Sequence, residues 1–295
     1  MQIATLNKMA ARKTGSKLAK LFMAGIITVT AGAASAQNGL DFSLRGLVQT
    51  SSLINSKDQG AGPEVDYKMG VTMGGGVSVG YTFSKHLGAE LGVLYSKQGQ
   101  GYTGDFAEVS HNTLDVTIIS QEFERLAVAN NITSTGKYTA NIEFTNIKVP
   151  ILLRFTGDNT RKSFFSGFIG PQVNMMAQVK TTINGKEAQY KNMGVKYEDI
   201  YKKTSVDAVL GLGVTFKLTE NFLLSGHFRL DCSAGDVENK NAKDPNGRYN
   251  FYDKTRGTNY SATGGAVISI SYKLVKKAPK DDKTKTKVVE KTKKK

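Results

Sequence analysis

The chain has few of the residues that build disulfides and thiolate metal sites. Its 295 residues include one cysteine, no tryptophan and five prolines, against 31 glycines. Because Cys232 stands alone, we expect no internal disulfide and no thiolate metal cluster. Glycine is unfavourable inside helices, so its abundance favours close-packed strands.

The body of the chain also lacks a long hydrophobic run. After residue 36, no segment holds the roughly 20 consecutive apolar residues that a membrane-spanning helix requires. We therefore expect no transmembrane helix in this part of the chain.

Acidic residues are fewer than basic ones, and the formal net charge is +15. The excess of basic residues lies at the two ends of the chain. Residues 1–36 combine a basic start, an apolar stretch and the small-residue site Ala34-Ser35-Ala36, an order typical of a signal peptide. Residues 276–295 are rich in lysine and show no hydrophobic periodicity, which predicts a disordered tail. The body, residues 37–275, is close to neutral, so we expect no nucleic-acid partner.

Alternation of apolar with small or polar residues runs through the body and is clearest in residues 71–99. Successive side chains of a strand point to opposite faces, so a period of two predicts a strand with one apolar face. Two such runs flank the polar residues 84–86, which is typical of a hairpin. Each run reaches the ~9–11 residues that a tilted strand needs to cross a bilayer.

The same pattern predicts eight strands. They cover residues 41–50, the two runs within 71–99, and residues 146–155, 163–179, 205–218, 222–231 and 267–274. The connections alternate between long and short, and the long ones are residues 51–68, 100–140, 180–204 and 234–260. Within the second, the stretch 114–119 is β-prone and is expected to extend neighbouring strands outward.

The alternation of long and short connections is typical of a membrane barrel, which has short periplasmic turns and longer outer loops. We predict an all-β, eight-stranded antiparallel up-and-down transmembrane β-barrel in the Gram-negative outer membrane, with both termini periplasmic. The alternative is a soluble lipocalin-like barrel with an apolar interior. Glycines on the polar face favour the membrane barrel, because small residues leave room for charged side chains in a narrow lumen.

Aromatic residues of the apolar face cluster near the periplasmic strand ends, where an interfacial girdle is expected. The predicted girdle consists of Phe42, Tyr81, Phe83, Phe155, Phe165, Phe216, Phe222 and Tyr272.

Charged residues of the polar face are expected to form one ion-pair network inside the lumen, since a buried charge without a partner is costly. The predicted network consists of Arg45, Glu90, Lys148, Arg154, Asp207, His227, Arg229 and Asp231. Eight strands enclose an interior that side chains just fill, so we expect no open pore.

Catalytic and metal-binding residues are scarce. The three histidines are His86, in a turn, His111, in a long connection, and His227, on the polar face. No Ser-His-acid set has a recognisable spacing, so we expect no enzyme, no cofactor and no metal. One alternative is a metal site in the last long connection, formed by Asp236, Glu238, Asp244 and Asn246. The nearby aromatics could form a contact patch: Tyr249, Phe251 and Tyr252.

Several short strings resemble the PorT-type outer-membrane β-barrel family of Bacteroidetes, across roughly residues 38–275. They are Arg45-Gly46, residues 95–99 (YSKQG), Val149-Pro150-Ile151, Gly170-Pro171 and Gly211-Leu212-Gly213. The resemblance implies an outer-membrane barrel and a link to type IX protein secretion, the process associated with the namesake of the family.

Together these observations predict a non-catalytic envelope protein with a structural or interaction role. The alternatives are an accessory component of type IX secretion and a lipid-modifying barrel enzyme. The expected partners are outer-membrane lipid, peptidoglycan through the lysine-rich tail, and other envelope or secretion proteins.

Overall fold

The computed structural model describes residues 39–54, 65–106, 118–239 and 258–274. Residues 41–273 form one compact unit, and the two ends of the chain form another. Of the second unit only residues 39, 40 and 274 are described, and there the amide of Leu274 donates to the carbonyl of Leu40. The predicted signal peptide and lysine-rich tail lie outside the described residues.

Eight long antiparallel strands close into a ring. The ring order is β4-β3-β2-β1-β9-β8-β7-β5, and pairing of β5 with β4 closes it. The strands are β1 (Leu40–Ile54), β2 (Asp66–Thr82), β3 (Leu87–Asp105), β4 (Lys137–Thr156), β5 (Ser163–Ile183), β7 (Thr204–Lys217), β8 (Phe222–Ser233) and β9 (Tyr260–Lys273). A short strand, β6 (Lys186–Ala188), pairs with the end of β5. The predicted fold class is thereby confirmed.

Three short helical segments accompany the ring. They are α1 (Ile118–Ala129), a single 3₁₀ turn (Tyr190–Met193) and α2 (Tyr197–Ile200). None of the helices in the described ranges is both long and apolar enough to cross a membrane.

The two faces of the strands separate as the alternation predicts. Outward side chains such as Leu44 (64% exposed) and Val71 (72%) are apolar and open, whereas inward Arg45 is only 7% exposed. This distribution is the reverse of a soluble barrel and matches a barrel whose outer surface contacts lipid.

The barrel has two different ends. We call the end with the short connections 83–86, 157–162 and 218–221 the turn end; Asp41 and Lys273 pair there, at the start of β1 and the finish of β9. We call the opposite end, with the long connections, the loop end.

The strands extend further at the loop end than the sequence predicts. Strand β4 begins at Lys137 rather than at residue 146, and β3 continues to Asp105. The connection 180–204 is not a structureless loop, since it contains the end of β5, β6 and two helical segments. The expected strand extension at 114–119 is wrong where it can be checked: residues 118 and 119 begin α1, and residues 114–117 are outside the described part.

An inversion of polarity along β4 explains these differences. Near the turn end, outward residues such as Ile151 are apolar; beyond Ile147 they become polar, as in Thr145 and Glu143. The inward residues change in the opposite sense, and four of them are buried and apolar: Tyr138, Ala140, Ile142 and Phe144. The alternation therefore continues through the whole strand, with its two faces exchanged above the membrane-spanning part.

A tight hairpin positions β6. Asn184 and Gly185 both have positive φ angles, 48° and 76°. Asn-Gly is the preferred pair for a two-residue turn with positive φ at both positions. This dipeptide was the sequence signal that could have predicted the β5–β6 hairpin.

Candidate functional site: the filled lumen and the cap

One group of ion pairs fills the lumen near the turn end. Arg45 donates to Glu90 at 2.5 Å, from β1 to β3. Arg154 of β4 donates to both carboxylate oxygens of Asp41, at 2.8 and 2.6 Å. A contact of 3.6 Å between Arg154 and Glu90 joins the two pairs. All four side chains point toward the barrel axis, as their positions on the polar face of the alternating pattern predict.

A second group lies in the lumen toward the loop end. Lys148 of β4 donates to Asp231 of β8 at 2.9 Å, and both side chains are almost completely buried. Arg229 donates to the same carboxylate at 2.7 Å and also to the side-chain amide oxygen of Gln172. Gln172 in turn donates to Asp207 at 3.4 Å. Charge-assisted hydrogen bonds of this kind satisfy groups that would otherwise be costly to bury.

The lumen therefore holds two groups rather than the single network predicted. Among the described residues no ion pair joins a member of the first group to a member of the second; instead, the Phe168 ring lies 5.5 Å from the guanidinium of Arg45 and 6.0 Å from that of Arg229. Several apolar side chains, including that of Phe168, also point into the lumen and interrupt the polar face. They form two small buried clusters: Leu47, Leu94 and Val267, and Leu152, Phe168 and Val209. These positions break the alternation, and that signal could have predicted the separation.

Two predicted members take no part in an ion pair within the described residues. Asp207 takes part only as a hydrogen-bond acceptor. His227 shares a hydrogen bond of 3.0 Å with Ser166, which also contacts Thr215 at 2.7 Å. In the described part of the chain no carboxylate contacts the His227 ring, so a Ser-His-acid triad is not assembled there.

The remaining catalytic and metal candidates are dispersed. The His86 ring contacts the carbonyl of Thr156 at 2.9 Å in a turn, and His111 lies outside the described residues. No three His, Cys, Asp or Glu side chains within the described ranges could hold a metal ion. Asp236 accepts the amides of Glu238 and Asn259 and so shapes its connection. The other residues proposed there are outside the described part: Asp244, Asn246, Tyr249, Phe251 and Tyr252.

The predicted girdle residues occupy the outward face near the turn end. Phe42, Phe165 and Tyr272 are about half exposed. Two pairs of rings contact each other, Phe155 with Phe165 at 6.0 Å and Phe222 with Tyr272 at 5.1 Å. All eight positions lie within three residues of the turn-end terminus of a strand or directly beside it.

A second hydrophobic core closes the loop end, and the sequence reasoning missed it. We call it the cap: Val65, Tyr102, Phe106, Phe123, Leu126, Ala127, Ile132, Tyr138, Ala140, Ile142, Phe144, Ile183, Ala188, Tyr190, Val195, Ile200 and Tyr201. Helix α1 inserts Phe123 between the rings of Tyr102 and Tyr138, at 5.2 and 5.7 Å. Aromatic pairs at this separation add to the stabilisation from burial.

Polar contacts fix the cap segments to one another. The Tyr190 hydroxyl donates to Glu122 of α1 at 2.9 Å. Asn130, just after α1, accepts the amide of Gln189 at 2.9 Å. Burial raises the pKa of Tyr201 well above its usual value, so its hydroxyl stays neutral. The described residues of the connections after β3 and β5 thus pack together on the ends of β3, β4 and β5.

A small cavity lies where the cap meets the polar lumen. Its volume is about 40 Å³, and amide side chains of Gln98, Asn146 and Asn174 line it beside Phe144 and Tyr201. A space of this size accommodates a few water molecules.

Sequence comparison agrees with this geometry. The family model described as "Outer membrane protein beta-barrel domain" matches residues 26–230. The chain belongs to this family. It is therefore an outer-membrane β-barrel protein, as its lipid-facing apolar surface requires.

Solved structures of outer-membrane barrels resemble the chain in fold. Neisserial surface protein A is 11% identical, with 80% of this chain and 97% of that chain covered and a TM-score of 0.38. OprG from Pseudomonas aeruginosa is 14% identical, with 80% and 95% covered and a TM-score of 0.37. Ail of Yersinia pestis, solved with the heparin analogue sucrose octasulfate, is 10% identical, with 80% and 98% covered and a TM-score of 0.34. No curated protein sequence matches the chain.

Proposed function

We propose that this barrel is a non-catalytic structural and interaction component of the outer membrane, and that the cap is its interaction platform. The observation that carries the proposal is the cap itself. Phe123, Leu126 and Ile200 are completely buried in it. A packed unit of this kind presents a defined surface, and a preorganised surface loses less entropy on binding than mobile loops do.

The filled lumen supports a role other than transport. Side chains of Lys148 and Asp231 are 0% and 1% exposed, and those of Arg45 and Glu90 are 6% and 0% exposed. The lack of an assembled triad around His227 in the described residues favours a non-catalytic role over a lipid-modifying one. Both arguments leave the two rims and the outer surface as the regions available for partners.

The finer assignments are proposals as well. The strings at residues 95–99 and 149–151 favour the PorT-type family of Bacteroidetes, and with it an accessory role in type IX secretion. We place both termini in the periplasm because β1 begins and β9 finishes at the turn end, and short turns are periplasmic in barrels of even strand number. The cap then faces the exterior.

A deletion strain tests this function. Its outer-membrane lipids and its secreted proteins are compared by mass spectrometry with those of the parent strain. We expect an unchanged lipid profile, and envelope or secretion defects that are restored by the wild-type gene and by His227→Ala. Altered lipid A or phospholipid, restored by wild type but not by His227→Ala, would establish the enzyme alternative instead.

The lysine-rich tail predicts binding to peptidoglycan. Residues 276–295 follow β9 in the sequence and are strongly basic, and peptidoglycan stems carry carboxylates. Attraction between flexible polyions is screened over about 8 Å at physiological salt. We expect the purified protein to sediment with peptidoglycan at low salt and to be released by added salt.

Truncation after Leu274 is the matched variant for this experiment. It should stay folded, as judged by the heat-dependent shift of barrels in gel electrophoresis, and should no longer sediment. Equal sedimentation of the truncated and full-length proteins would show that the lysines are only a solvated extension.

A further inference from the structure

Basic side chains surround the barrel at the turn end. The turns 83–86 and 157–162 contribute Lys85, Arg161 and Lys162, and the ends of β7 and β9 contribute one lysine each. We call this set the basic collar: Lys85, Arg161, Lys162, Lys217 and Lys273. Among the described residues of this end, the exposed acids are Asp158 and Glu220.

The collar lies directly beside the aromatic girdle. Lys217 follows Phe216 and Lys273 follows Tyr272 in the chain, and Lys85 is two residues after Phe83. Aromatic rings of membrane proteins concentrate at the depth of the lipid headgroups. Long basic side chains beside them reach the phosphate groups while their methylene stems stay near apolar surface.

Hydrogen bonds join neighbouring turns and strand ends of the collar. The side chain of Asn159 donates to the carbonyl of Lys85 at 3.4 Å, and Lys217 donates its ammonium hydrogen to the carbonyl of Asn159. The amide of Lys217 donates to Lys162 at 2.8 Å. Asn221 exchanges hydrogen bonds with Lys273, at 2.7 and 2.8 Å. The backbones that carry the cations are thus held in fixed positions around the barrel.

One of the two exposed acids at this end, Asp158, is already engaged in local contacts. Asp158 accepts hydrogen bonds from the amide and hydroxyl of Thr160 at 3.1 and 2.6 Å, and its other oxygen lies 3.4 Å from Arg161. These hydrogen bonds lower the pKa of Asp158, so it stays ionised. Lys85 and Lys162 are exposed and make no ion pair in the described part of the chain.

We propose that the basic collar binds the phosphate groups of anionic phospholipids in the leaflet at the turn end. Cations that lie on two turns and on the ends of β7 and β9 are distributed around the barrel, and this fits a continuous surface that encloses it rather than one protein partner on one side. Lipid headgroups are such a surface, and they lie at the depth of the neighbouring girdle. The inference uses the membrane placement of the barrel and is independent of what the cap binds.

The test compares lipids that stay bound to the full-length protein. The protein is released from nanodiscs of phosphatidylcholine and phosphatidylglycerol, and the retained lipids are counted by mass spectrometry. We expect phosphatidylglycerol to be enriched. In Lys85→Gln/Lys162→Gln/Lys273→Gln the enrichment should fall at least about fivefold, since one basic residue near an anionic surface contributes roughly that factor.

Two further variants make the result specific. Lys137→Gln/Lys186→Gln/Lys196→Gln removes the same charge from exposed positions of the loop end and should keep the enrichment. Replacement of Lys85, Lys162 and Lys273 by Arg should keep it as well, and this shows that the collar positions tolerate substitution. The proposal is overturned if the glutamine variant of the collar retains the full enrichment, or if the loop-end variant loses as much as the collar variant. The lysine-rich tail is identical in all variants and cannot account for a difference between them.

Discussion

Replacing Asp231 by alanine is expected to destabilise the barrel by about 3–5 kcal/mol. Asp231 is the shared acceptor of Lys148 and Arg229, at 2.9 and 2.7 Å. Without it both cations stay buried with no carboxylate in contact, and an unpaired buried charge is far more costly than the intact pair is favourable. Urea-dependent unfolding in lipid vesicles measures the change in the free energy of unfolding.

Glu143→Ala is the matched control for this prediction. Glu143 also accepts from a lysine on a neighbouring strand, Lys97 at 2.8 Å, but the two side chains are 38% and 42% exposed. Exposed ion pairs contribute about 0–1 kcal/mol. If Asp231→Ala and Glu143→Ala cost the same, burial is not what makes the lumen pair important, and our account of the filled lumen is wrong.

Phe123→Ala is expected to loosen the cap while leaving the membrane-spanning ring intact. The Phe123 ring is completely buried against two tyrosines, and removal of a buried phenylalanine ring costs about 3–5 kcal/mol. Because the stability is lost in the cap alone, the change should appear as faster amide hydrogen exchange in α1 and the cap strands. The heat-dependent gel shift of the barrel should be unchanged.

Val128 provides a control on the same helix. It lies on the opposite, open side and is 60% exposed, and substitutions at such positions usually change stability by less than about 0.5 kcal/mol. Val128→Ala should leave the exchange rates of α1 unaltered. Equal acceleration in the two variants would mean that α1 does not depend on the cap for its order.

Much of the membrane-spanning part could be predicted from the sequence. The period of two assigns each residue of a strand to one of two faces, because neighbouring side chains point to opposite sides of the sheet. This places Leu44 outside and Arg45 inside without knowledge of any other strand. The number of strands and the short turns followed from the same alternation.

The partners of the lumen residues could not be predicted in this way. Lys148 and Asp231 are 83 positions apart in the chain, and they meet because β4 and β8 face each other across the lumen. Similarly, inward apolar residues such as Leu47 and Phe168 looked like isolated exceptions to the pattern. Only the closed ring shows that they interrupt the polar interior and divide one predicted network into two groups.

The cap is the second feature that was not predicted from the sequence. Residues 137–145 alternate as clearly as any strand, yet their polarity is the reverse of that in the membrane-spanning part. The predicted strands all have an apolar outer face, so this segment was not included among them. The sequence by itself determined the strands and their faces, since alternation is a local property of an extended chain. The tertiary structure decided which charges pair and which loops fold, because those contacts join residues from strands that are distant in the chain.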